Sequence, residues 1–408
     1  MNYINLSQMA NPSFQHTINQ SAVFHYLREH GPTYKKHIAQ ALGISLPSVT
    51  RALNALIERG FAEHTEYRKN KQSRTVPYYQ ITIQNAIIIA IDVLKGLISG
   101  RNLVEMFPIH EIGFDPSIPL IDDFTRNIQR YVEDCLGRNI DDVKFICIGL
   151  PGIVNVDTGV VEKAIYHPNL ENIPIKEPLG ANFHCKVFID NVVNLAAFAN
   201  YCEFHKQYGN MVACDIGMEI GTGLIINHRV YRGQNNIAGE TGFFIGDLDH
   251  PERTCKMTCT FRPLNREIIK SGLIDDHEDA GSPGEDEKTC LRNVARLFDC
   301  AYEGNAAARE LLKDYITKII LMLNKVEILL NPKKIVIGGD VCCLPHSREV
   351  FLKPLNELYG PVRQMDDPVC YSNYDVHVSL YGACEMGLET YLSEEFPYMF
   401  KESPSLTG

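Results

Sequence analysis

Residues Ile216–Leu224 read Ile-Gly-Met-Glu-Ile-Gly-Thr-Gly-Leu and continue an apolar run, Met211–Ile216, that is typical of a buried strand. Glycine-rich turns of this kind let the backbone approach a ligand closely. Three more glycine-rich stretches occur along the chain: Gly149–Gly152, Ala238–Phe243 and Ile335–Asp340. Each stretch alone is weak evidence, because glycine-rich turns join strands in many folds. The order and spacing of all four along the chain are stronger evidence and favour an α/β fold.

The chain from residue 84 onward alternates apolar β-type runs with helical stretches, which favours an open mixed sheet covered by helices. The predicted strands are Ile87–Val93, Phe145–Leu150, Val187–Ile189, Met211–Ile216, Gly223–Asn227 and Lys334–Gly338. The predicted helices include Ile121–Leu136, Asn194–His205, Ala306–Leu330 and Ala383–Leu392. At 408 residues the chain is too long for one ordinary domain and suits two or three.

The first 83 residues follow a different plan. Residues 1–18 are predicted to be a loose arm, followed by helices at Asn19–His30, Tyr34–Leu42 and Ser45–Arg59, with glycines ending them. Two strands near Phe61–Tyr67 and Val76–Ile83 flank a basic tip. This order is that of a winged helix-turn-helix. The residues predicted to face inward are Val23, Phe24, Leu27, Ile38, Ala39, Leu42, Val49, Leu53, Leu56 and Ile57.

The third helix of this head is the candidate for reading DNA. A helix fits the major groove, where outward side chains reach base edges or phosphates, and basic residues on the wing neutralise phosphates. The predicted DNA-binding residues are Ser45, Ser48, Thr50, Arg51, Lys69, Lys71 and Arg74. A small helical module that binds protein is the alternative, because short polar residues on a helix face also describe a solvated face.

Charge is distributed unevenly. The net charge is −11, which excludes a uniformly basic nucleic-acid coat, but residues 1–80 carry +5 and the remainder −16. Only the head is therefore expected to meet a polyanion.

No apolar run is long enough to span a bilayer and no signal-peptide pattern occurs, so we expect a cytoplasmic protein without a membrane partner. Many of the thirteen cysteines, such as Cys147 and Cys214, lie inside apolar runs and are interpreted as reduced core residues.

Taken together, the glycine-rich stretches and the N-terminal helices resemble the ROK family of repressors, open reading frames and kinases. The resemblance implies a winged helix-turn-helix at 1–83, followed by an actin-like, hexokinase-type (ribonuclease H-like) domain of two lobes around a cleft. We expect a small lobe at 84–195, to which a C-terminal helix at 383–400 returns, and a large lobe at 196–382. Family kinases phosphorylate sugars with ATP, whereas family repressors bind operators and respond to sugars, sugar phosphates or partner proteins.

The departures from the kinase pattern predict that no residue is catalytic. The family's Asp-x-Gly-Gly-Thr is here Asp92–Gly96, which keeps only the Asp, and Glu219 places a carboxylate in the second phosphate loop. Val192 stands where family kinases have the catalytic Asp, and an aliphatic side chain cannot accept a proton. Asp190 would share a strand face with Val192 about 6–7 Å away, and we do not expect it to substitute.

The family's zinc motif is also incomplete. Phe243 replaces the motif's His, and only Cys255 and Cys259 remain, with altered spacing and His250 nearby. Two thiolates do not make a closed tetrahedral site, so we expect neither a metal nor another cofactor.

Four positions match family residues that contact sugar: Gly152, Asn191, Glu240 and Glu267. Carboxylates and an amide suit sugar hydroxyls, because they pair with donors and acceptors. Since the catalytic Asp and the zinc His are lost, the sequence leaves three options open: a sugar or sugar-phosphate effector, a different ligand, or none.

The sequence thus predicts a DNA-binding transcriptional regulator of carbohydrate metabolism, a repressor by family default, with a catalytically degenerate sugar-kinase-like sensor. The alternatives are an ATP-dependent sugar kinase with a DNA-binding head, and a regulator controlled by a protein partner. A two-fold operator needs two heads, so a homodimer or a dimer of dimers is expected. The helices after Ala306 and the segment Tyr381–Leu392 are the candidate dimer surfaces.

Overall fold

The computed structural model describes residues 12–69, 75–82, 86–164, 167–247, 249–273, 286–363, 367–374 and 377–395. Within these ranges no helix is both long enough and apolar enough to cross a membrane. Cys147 and Cys214 are buried, as their place in apolar runs predicts.

Three helices and a hairpin form the head: α1 Pro12–His30, α2 Lys35–Leu42, α3 Leu46–Glu58, β1 Ala62–Lys69 and β2 Thr75–Ile81. The side chain of Ser45 caps α3, because its Oγ accepts a hydrogen bond from the backbone N–H of Ser48 at 3.2 Å. Gly43 ends α2 with a φ of 65°, which favours glycine. The buried core of the three helices is Val23, Phe24, Leu27, Ile38, Val49, Ala52, Leu53 and Leu56.

Two expectations for the head are wrong. The first helix begins at Pro12 rather than at Asn19. A side-chain hydrogen bond between residues one helical turn apart, Gln20 Nε2 and His16 Nδ1 at 2.8 Å, stabilises this additional part of the helix. Ile57 is 39% exposed rather than inward, because the three- and four-residue spacing of the buried face gives that place to Ala52, Leu53 and Leu56.

The first large sheet contains five strands in the order β5-β4-β3-β6-β9. β4 runs antiparallel to β3, whereas β6 and β9 continue parallel to it. The strands are β3 Ile87–Asp92, β4 Leu97–Arg101, β5 His110–Glu111, β6 Val143–Leu150 and β9 Lys186–Asn191. Around them lie α4 Leu120–Gln129, α5 Lys176–Phe183 and the small hairpin β7 Ile153–Asn155 with β8 Val160–Lys163.

The second large sheet repeats this order and these directions, as β12-β11-β10-β13-β14. Two sheets with the same topology confirm the predicted actin-like, ribonuclease H-like fold. The strands are β10 Met211–Ile216, β11 Ile220–Ile226, β12 Arg229–Val230, β13 Lys334–Gly338 and β14 Cys370–Tyr371.

The remaining helices link or cover the two sheets. They are α6 Val192–Glu203, α7 Cys255–Thr258, α8 Phe261–Ser271, α9 Glu287–Tyr302, α10 Ala306–Leu330, α11 Lys353–Tyr359 and α12 Val378–Glu395. Short 3-10 turns occur at Ile140–Asp142, Pro168–Leu170, Thr241–Phe243, Asp340–Cys343 and Gly360–Val362, and π turns at Arg130–Cys135 and Arg348–Leu352.

The C-terminal helix α12 returns to the first sheet and packs against α6. A Cβ on Gly382 would lie 1.8 Å from the backbone oxygen of Leu195, and one on Gly387 would lie 2.6 Å from Ile88 Cγ2. No residue of the segment Tyr381–Leu392 is exposed. The chain's own sheet and helix therefore cover much of this segment, and a dimer surface here stays a prediction.

Candidate DNA-binding face and inter-lobe cleft

The outward face of α3 carries the predicted DNA-contacting residues. Arg51 is exposed, and its guanidinium has no hydrogen-bond or ion-pair partner among the described residues. Thr50 is half-buried beside it. The hydroxyls of Ser45 and Ser48 lie 2.8 Å apart at the start of the helix, so they are hydrogen-bonded to each other. The face is thus polar, and its charge is available to a phosphate or a base edge.

Two further residues of this face are absent from the sequence-based set. Leu46 is 48% exposed in the first turn of α3, and Asn54 is exposed one turn beyond Thr50 and Arg51. An Asn can pair with the edge of adenine, and an apolar side chain can contact a thymine methyl group. The spacing of three and four residues from Arg51 and Thr50 is the signal that could have identified Asn54.

On the wing, Lys69 is exposed at the end of β1. Lys71 and Arg74 lie outside the described residues. Arg68 pairs with Glu66 and its guanidinium carbon lies 5.4 Å from the centre of the Tyr78 ring, so its charge is partly engaged. Among the described residues of the wing, Lys69 is therefore the cation best placed to meet a phosphate.

The cleft between the two large sheets holds a cluster of charges. Asp92, at the end of β3, is buried and accepts hydrogen bonds from the Lys95 backbone N–H at 2.9 Å and from the Ser379 hydroxyl. The Lys95 Nζ lies 3.4 Å from Asp340 Oδ1 on the other side of the cleft. Burial alone would lower the pKa of Lys95, but Asp340 and Asp92 raise it. Lys95 therefore stays charged and joins the two halves of the domain.

Asp215, at the end of β10, adds a third carboxylate to this cluster. Its pKa is raised to about 7: burial is the largest cause, Lys95 opposes the shift, and Asp340 and Asp92 add to it. Burial also raises the pKa of Asp92. One ammonium thus faces three carboxyl groups, and burial favours the protonated form of two of them, Asp92 and Asp215.

The second phosphate loop is filled by the chain itself. Asp340 Oδ2 accepts a hydrogen bond from the Met218 backbone N–H at 3.0 Å. A Cβ on Gly217 would lie 2.2 Å from the same oxygen, so the carboxylate takes the space that glycine leaves. Glu219 pairs with Lys256 at 3.2 Å. An amide that could hold a phosphate is therefore already bonded to a carboxylate.

The position of the lost catalytic Asp lies at a helix start. β9 ends at Asn191 and Val192 is the first residue of α6, so the expectation that Asp190 and Val192 share a strand face is wrong. Asp190 is buried, and its Oδ2 accepts hydrogen bonds from Arg232 at 2.5 Å and 3.1 Å. Its Oδ1 accepts from Asn194 at 2.9 Å. Arg232 lies in the second half of the domain, and no local sequence pattern links it to Asp190.

Two of the four predicted sugar contacts meet in the structure. Asn191 donates from Nδ2 to the backbone oxygen of Gly152 at 2.5 Å, and its Oδ1 caps α6 by accepting from Val193 N–H at 2.8 Å. Gly152 has a φ of 87°, and a Cβ there would lie 2.1 Å from the oxygen of Lys163. The loop is thus fixed, and only glycine fits it.

The two predicted carboxylates differ in their surroundings. Glu240 is half-buried, and burial raises its pKa while Lys256 opposes the shift. Glu267 is exposed on α8 and pairs with Lys270 at 2.7 Å. Among the described residues, no hydrogen bond or ion pair joins either carboxylate to Asn191 or Gly152.

The remains of the zinc motif lie in the core of the second half. Cys255 and Cys259 are buried, and a hydrogen bond between their thiols lowers the pKa of Cys255 and raises that of Cys259. Phe243 is 53% exposed where the family has its His. In the described ranges no three His, Cys, Asp or Glu side chains cluster as metal ligands. The residues present do not fit the family's zinc site.

The head meets the body at a groove of about 880 Å³. Arg59, just after α3, bonds Glu395 at the end of α12 at 2.8 Å, and its guanidinium carbon lies 4.9 Å from the centre of the Phe61 ring. Lys186 of β9 bonds Glu394 at 2.7 Å. The C-terminal end of α12 is therefore one of the contacts between the head and the body.

A model of the ROK family matches residues 124–358 of this chain. The chain belongs to the ROK family. A model of the MarR family matches residues 15–72, from the first turn of α1 to the end of β1, so a MarR-type winged helix-turn-helix precedes the ROK domain. Both parts of the predicted architecture are confirmed.

Known proteins resemble the chain over different lengths. The xylose repressor of Caldicellulosiruptor bescii is 23% identical over 377 residues, which cover 86% of this chain and 89% of the repressor. The glucokinase of Halalkalibacterium halodurans is 26% identical over 233 residues, 54% of this chain and 67% of the kinase. The crystal structure of a ROK family transcriptional regulator, a homolog of the E. coli MLC protein, superposes with a TM-score of 0.71 at 16% identity. That superposition covers 93% of this chain and 98% of the regulator, and it shows the shared fold.

Proposed function

We propose that the chain is a DNA-binding transcriptional regulator, a repressor of carbohydrate metabolism, whose ROK domain senses a ligand and does not catalyse. The observation that carries the proposal is the outward face of α3, where Arg51 is exposed on a helix of a MarR-type head. The length of the matches supports it, since the repressor resembles both head and body.

Substitutions on α3 test DNA binding. We expect Arg51→Ala and Asn54→Ala each to cost about 1–3 kcal/mol of affinity, because each removes a contact to a base edge. Lys69→Ala should instead weaken binding to all sequences and reduce the slope of log affinity against log salt by about one. Fluorescence anisotropy with a duplex selected by the purified protein from a random library measures both effects.

The matched control is Lys313→Ala, an exposed cation on α10 far from the head in sequence. Its affinity should equal that of the wild type. An Arg51→Ala variant indistinguishable from this control, or a selection that enriches no sequence, would contradict the proposal.

The cleft supports a sensor and not a kinase. Asp340 engages the Met218 amide, Glu219 adds charge, and Val192 offers no proton acceptor. A polyphosphate in this cleft would be repelled by the carboxylates, and the Met218 amide is already hydrogen-bonded. A coupled assay that detects ATP-dependent phosphate transfer to any hexose would contradict this part of the proposal.

The effector we propose is a sugar or a sugar phosphate, bound near Gly152, Asn191 and Glu240. We divide the chain into a head at 1–83, a small lobe at 84–195 with the C-terminal helix, and a large lobe at 196–382. An effector bound between the lobes would change the angle between them. The effector site in the cleft would thereby be coupled to the DNA-binding face of the head.

Helix α12 offers a physical route for that coupling. Ser379 in its first turn donates to Asp92 in the cleft, and Glu395 at its end bonds Arg59 of the head. An 18-residue helix spans about 27 Å. A shift of the lobe on which α12 lies would therefore move the contact that orients the head. Two such heads, in a homodimer or a dimer of dimers, would read a two-fold operator.

A further inference from the structure

The strand β1 of the wing contains one residue more than the part of β2 that pairs with it. His64 pairs with Tyr79 and Tyr67 pairs with Pro77, so three steps along β1 match two steps along β2. One additional residue makes a β-bulge, which moves the side chains that follow it to the other face of the hairpin. His64 and Tyr67 therefore share a face, and their ring centres lie 5.0 Å apart.

The face that carries Tyr67 is the one that packs against the helices at the base of the hairpin. Ala62, Tyr79 and Ile81 lie on this face and belong to one buried apolar core with the three helices of the head. Further along β1 the face leaves the core, and Tyr67 is 67% exposed. Without the bulge, Tyr67 would lie on the opposite face, away from the helices.

Tyr67 lies far enough from the core to reach a second groove of DNA. The stretch of β1 from Ala62 to Tyr67 spans about 15 Å at the usual rise of a strand. In B-DNA half a helical turn, about 17 Å, separates a major groove from the next minor groove on the same side. With α3 in the major groove, the position of Tyr67 on the wing therefore suits the neighbouring minor groove.

The chemistry around Tyr67 favours DNA as the partner of this ring. An aromatic face packs against the C–H groups of deoxyribose, and a phenol hydroxyl can donate to adenine N3 or thymine O2 at the floor of the minor groove. Lys69 is exposed two residues further along the same face, where it can meet the adjoining phosphate. The other side chains of β1 beyond His64 are polar or charged, so Tyr67 is not part of an apolar patch of the kind that a protein partner covers.

We propose that Tyr67 contacts DNA in the minor groove beside the major groove that α3 occupies, and that its hydroxyl adds a preference for A·T pairs there. The preference arises because the amino group of guanine would obstruct the contact. Lys69 cannot supply it, since phosphates carry no sequence information. The proposal rests on the proposed function, because it requires α3 to bind DNA.

Hydroxyl-radical footprinting of the full-length protein tests the contact, on a duplex that the protein selects from a random library. These radicals attack deoxyribose from the minor groove, so the wild type should protect sugars half a turn from the positions that α3 reads. Tyr67→Ala should lose this protection and bind about tenfold more weakly, because roughly 60 Å² of apolar ring surface would lose its contact. The slope of log affinity against log salt should stay unchanged, since no charge is removed.

Two further variants separate the ring from its hydroxyl and from a general effect of surface substitution. Tyr67→Phe should keep the sugar protection, but a selection repeated with this variant should show no preference for A·T pairs in the flanking minor groove. The matched control is Tyr302→Ala, which removes a ring that is 50% exposed at the end of α9, in the body. It should match the wild type in affinity and in footprint.

The outcomes distinguish this contact from the DNA-binding proposal. Circular dichroism establishes that each variant is folded. Sugar protection by Tyr67→Ala equal to that of the wild type would overturn the contact, whereas a loss of affinity in Arg51→Ala would still support the proposed function. An unchanged A·T preference in Tyr67→Phe would overturn the role of the hydroxyl. A wild type that selects no sequence would contradict the proposed function and the contact together.

Discussion

Glu240 is the residue on which sugar sensing depends most directly. Its carboxylate is half-buried near Lys256, and burial raises its pKa because it loses water. A buried carboxylate regains stability by accepting hydrogen bonds. Sugar hydroxyls supply such donors, whereas Glu267 already pairs with Lys270 at the surface.

We therefore expect Glu240→Gln to weaken effector binding about ten- to a hundredfold, since hydrogen bonds to a charged group contribute about 1.5–3 kcal/mol. Thermal unfolding in a panel of hexoses, pentoses, amino sugars and their phosphates measures this, because a ligand that prefers the folded state raises its stability. Glu267→Gln is the matched variant and should keep the wild-type shift. An equal loss of sugar affinity in both variants would show that Glu267 also contributes to the site. If no sugar raised the unfolding temperature of the wild type, a sugar effector would be contradicted.

At the scale of elements, α12 packs on the first large sheet and on α6, and its C-terminal end reaches the head. Gly382 allows it to approach α6 so closely that a Cβ would lie 1.8 Å from a backbone oxygen. The Arg59–Glu395 pair at its end is more than one third exposed on each side, so solvent screens it. We infer that packing stabilises α12 and that the ion pair orients the head.

Gly382→Ala should therefore destabilise the protein by about 1–3 kcal/mol or more, because the backbones of α12 and α6 must separate. Differential scanning calorimetry measures the loss. Gly360→Ala is the control, since a Cβ at Gly360 meets no atom within 4 Å and its φ of −47° is helical. Equal stability of the two variants would show that α12 does not need the close approach.

At the scale of the whole molecule, two of the ion pairs between described residues cross the cleft. Lys95 meets Asp340 near the surface, whereas Arg232 meets the buried Asp190. Only the second pair removes a carboxylate almost fully from water, with 1% of its side chain exposed. It is therefore the contact whose loss should affect lobe closure most.

We expect Arg232→Ala to destabilise the folded state by about 3–5 kcal/mol, because Asp190 would stay buried without its cation. Thermal unfolding gives the loss, and small-angle scattering should show a larger radius of gyration as the lobes separate. Asp190→Asn combined with Arg232→Ala should recover part of the stability, since the uncompensated charge is gone. A single variant as stable as the wild type would contradict the importance of this pair.

Local and periodic features were predictable from the sequence. The spacing of Val49, Leu53 and Leu56 identified the buried face of α3, and glycines marked where the helices end. The order of the glycine-rich turns identified the ROK domain. These predictions succeed because the face that a helix or strand buries, and the turns that only glycine allows, depend on neighbours in sequence.

The contacts that join distant segments became visible only in the tertiary structure. Asp340 bonds an amide 122 residues away, Arg232 bonds Asp190 across 42 residues, and Arg59 meets Glu395 across 336. A charged residue carries no periodic sign of its partner, because pairing depends on how the sheets and helices place it. The sequence by itself therefore determined the family and the winged helix-turn-helix head. Only the folded chain decided that a carboxylate fills the phosphate loop and that α12 joins cleft to head.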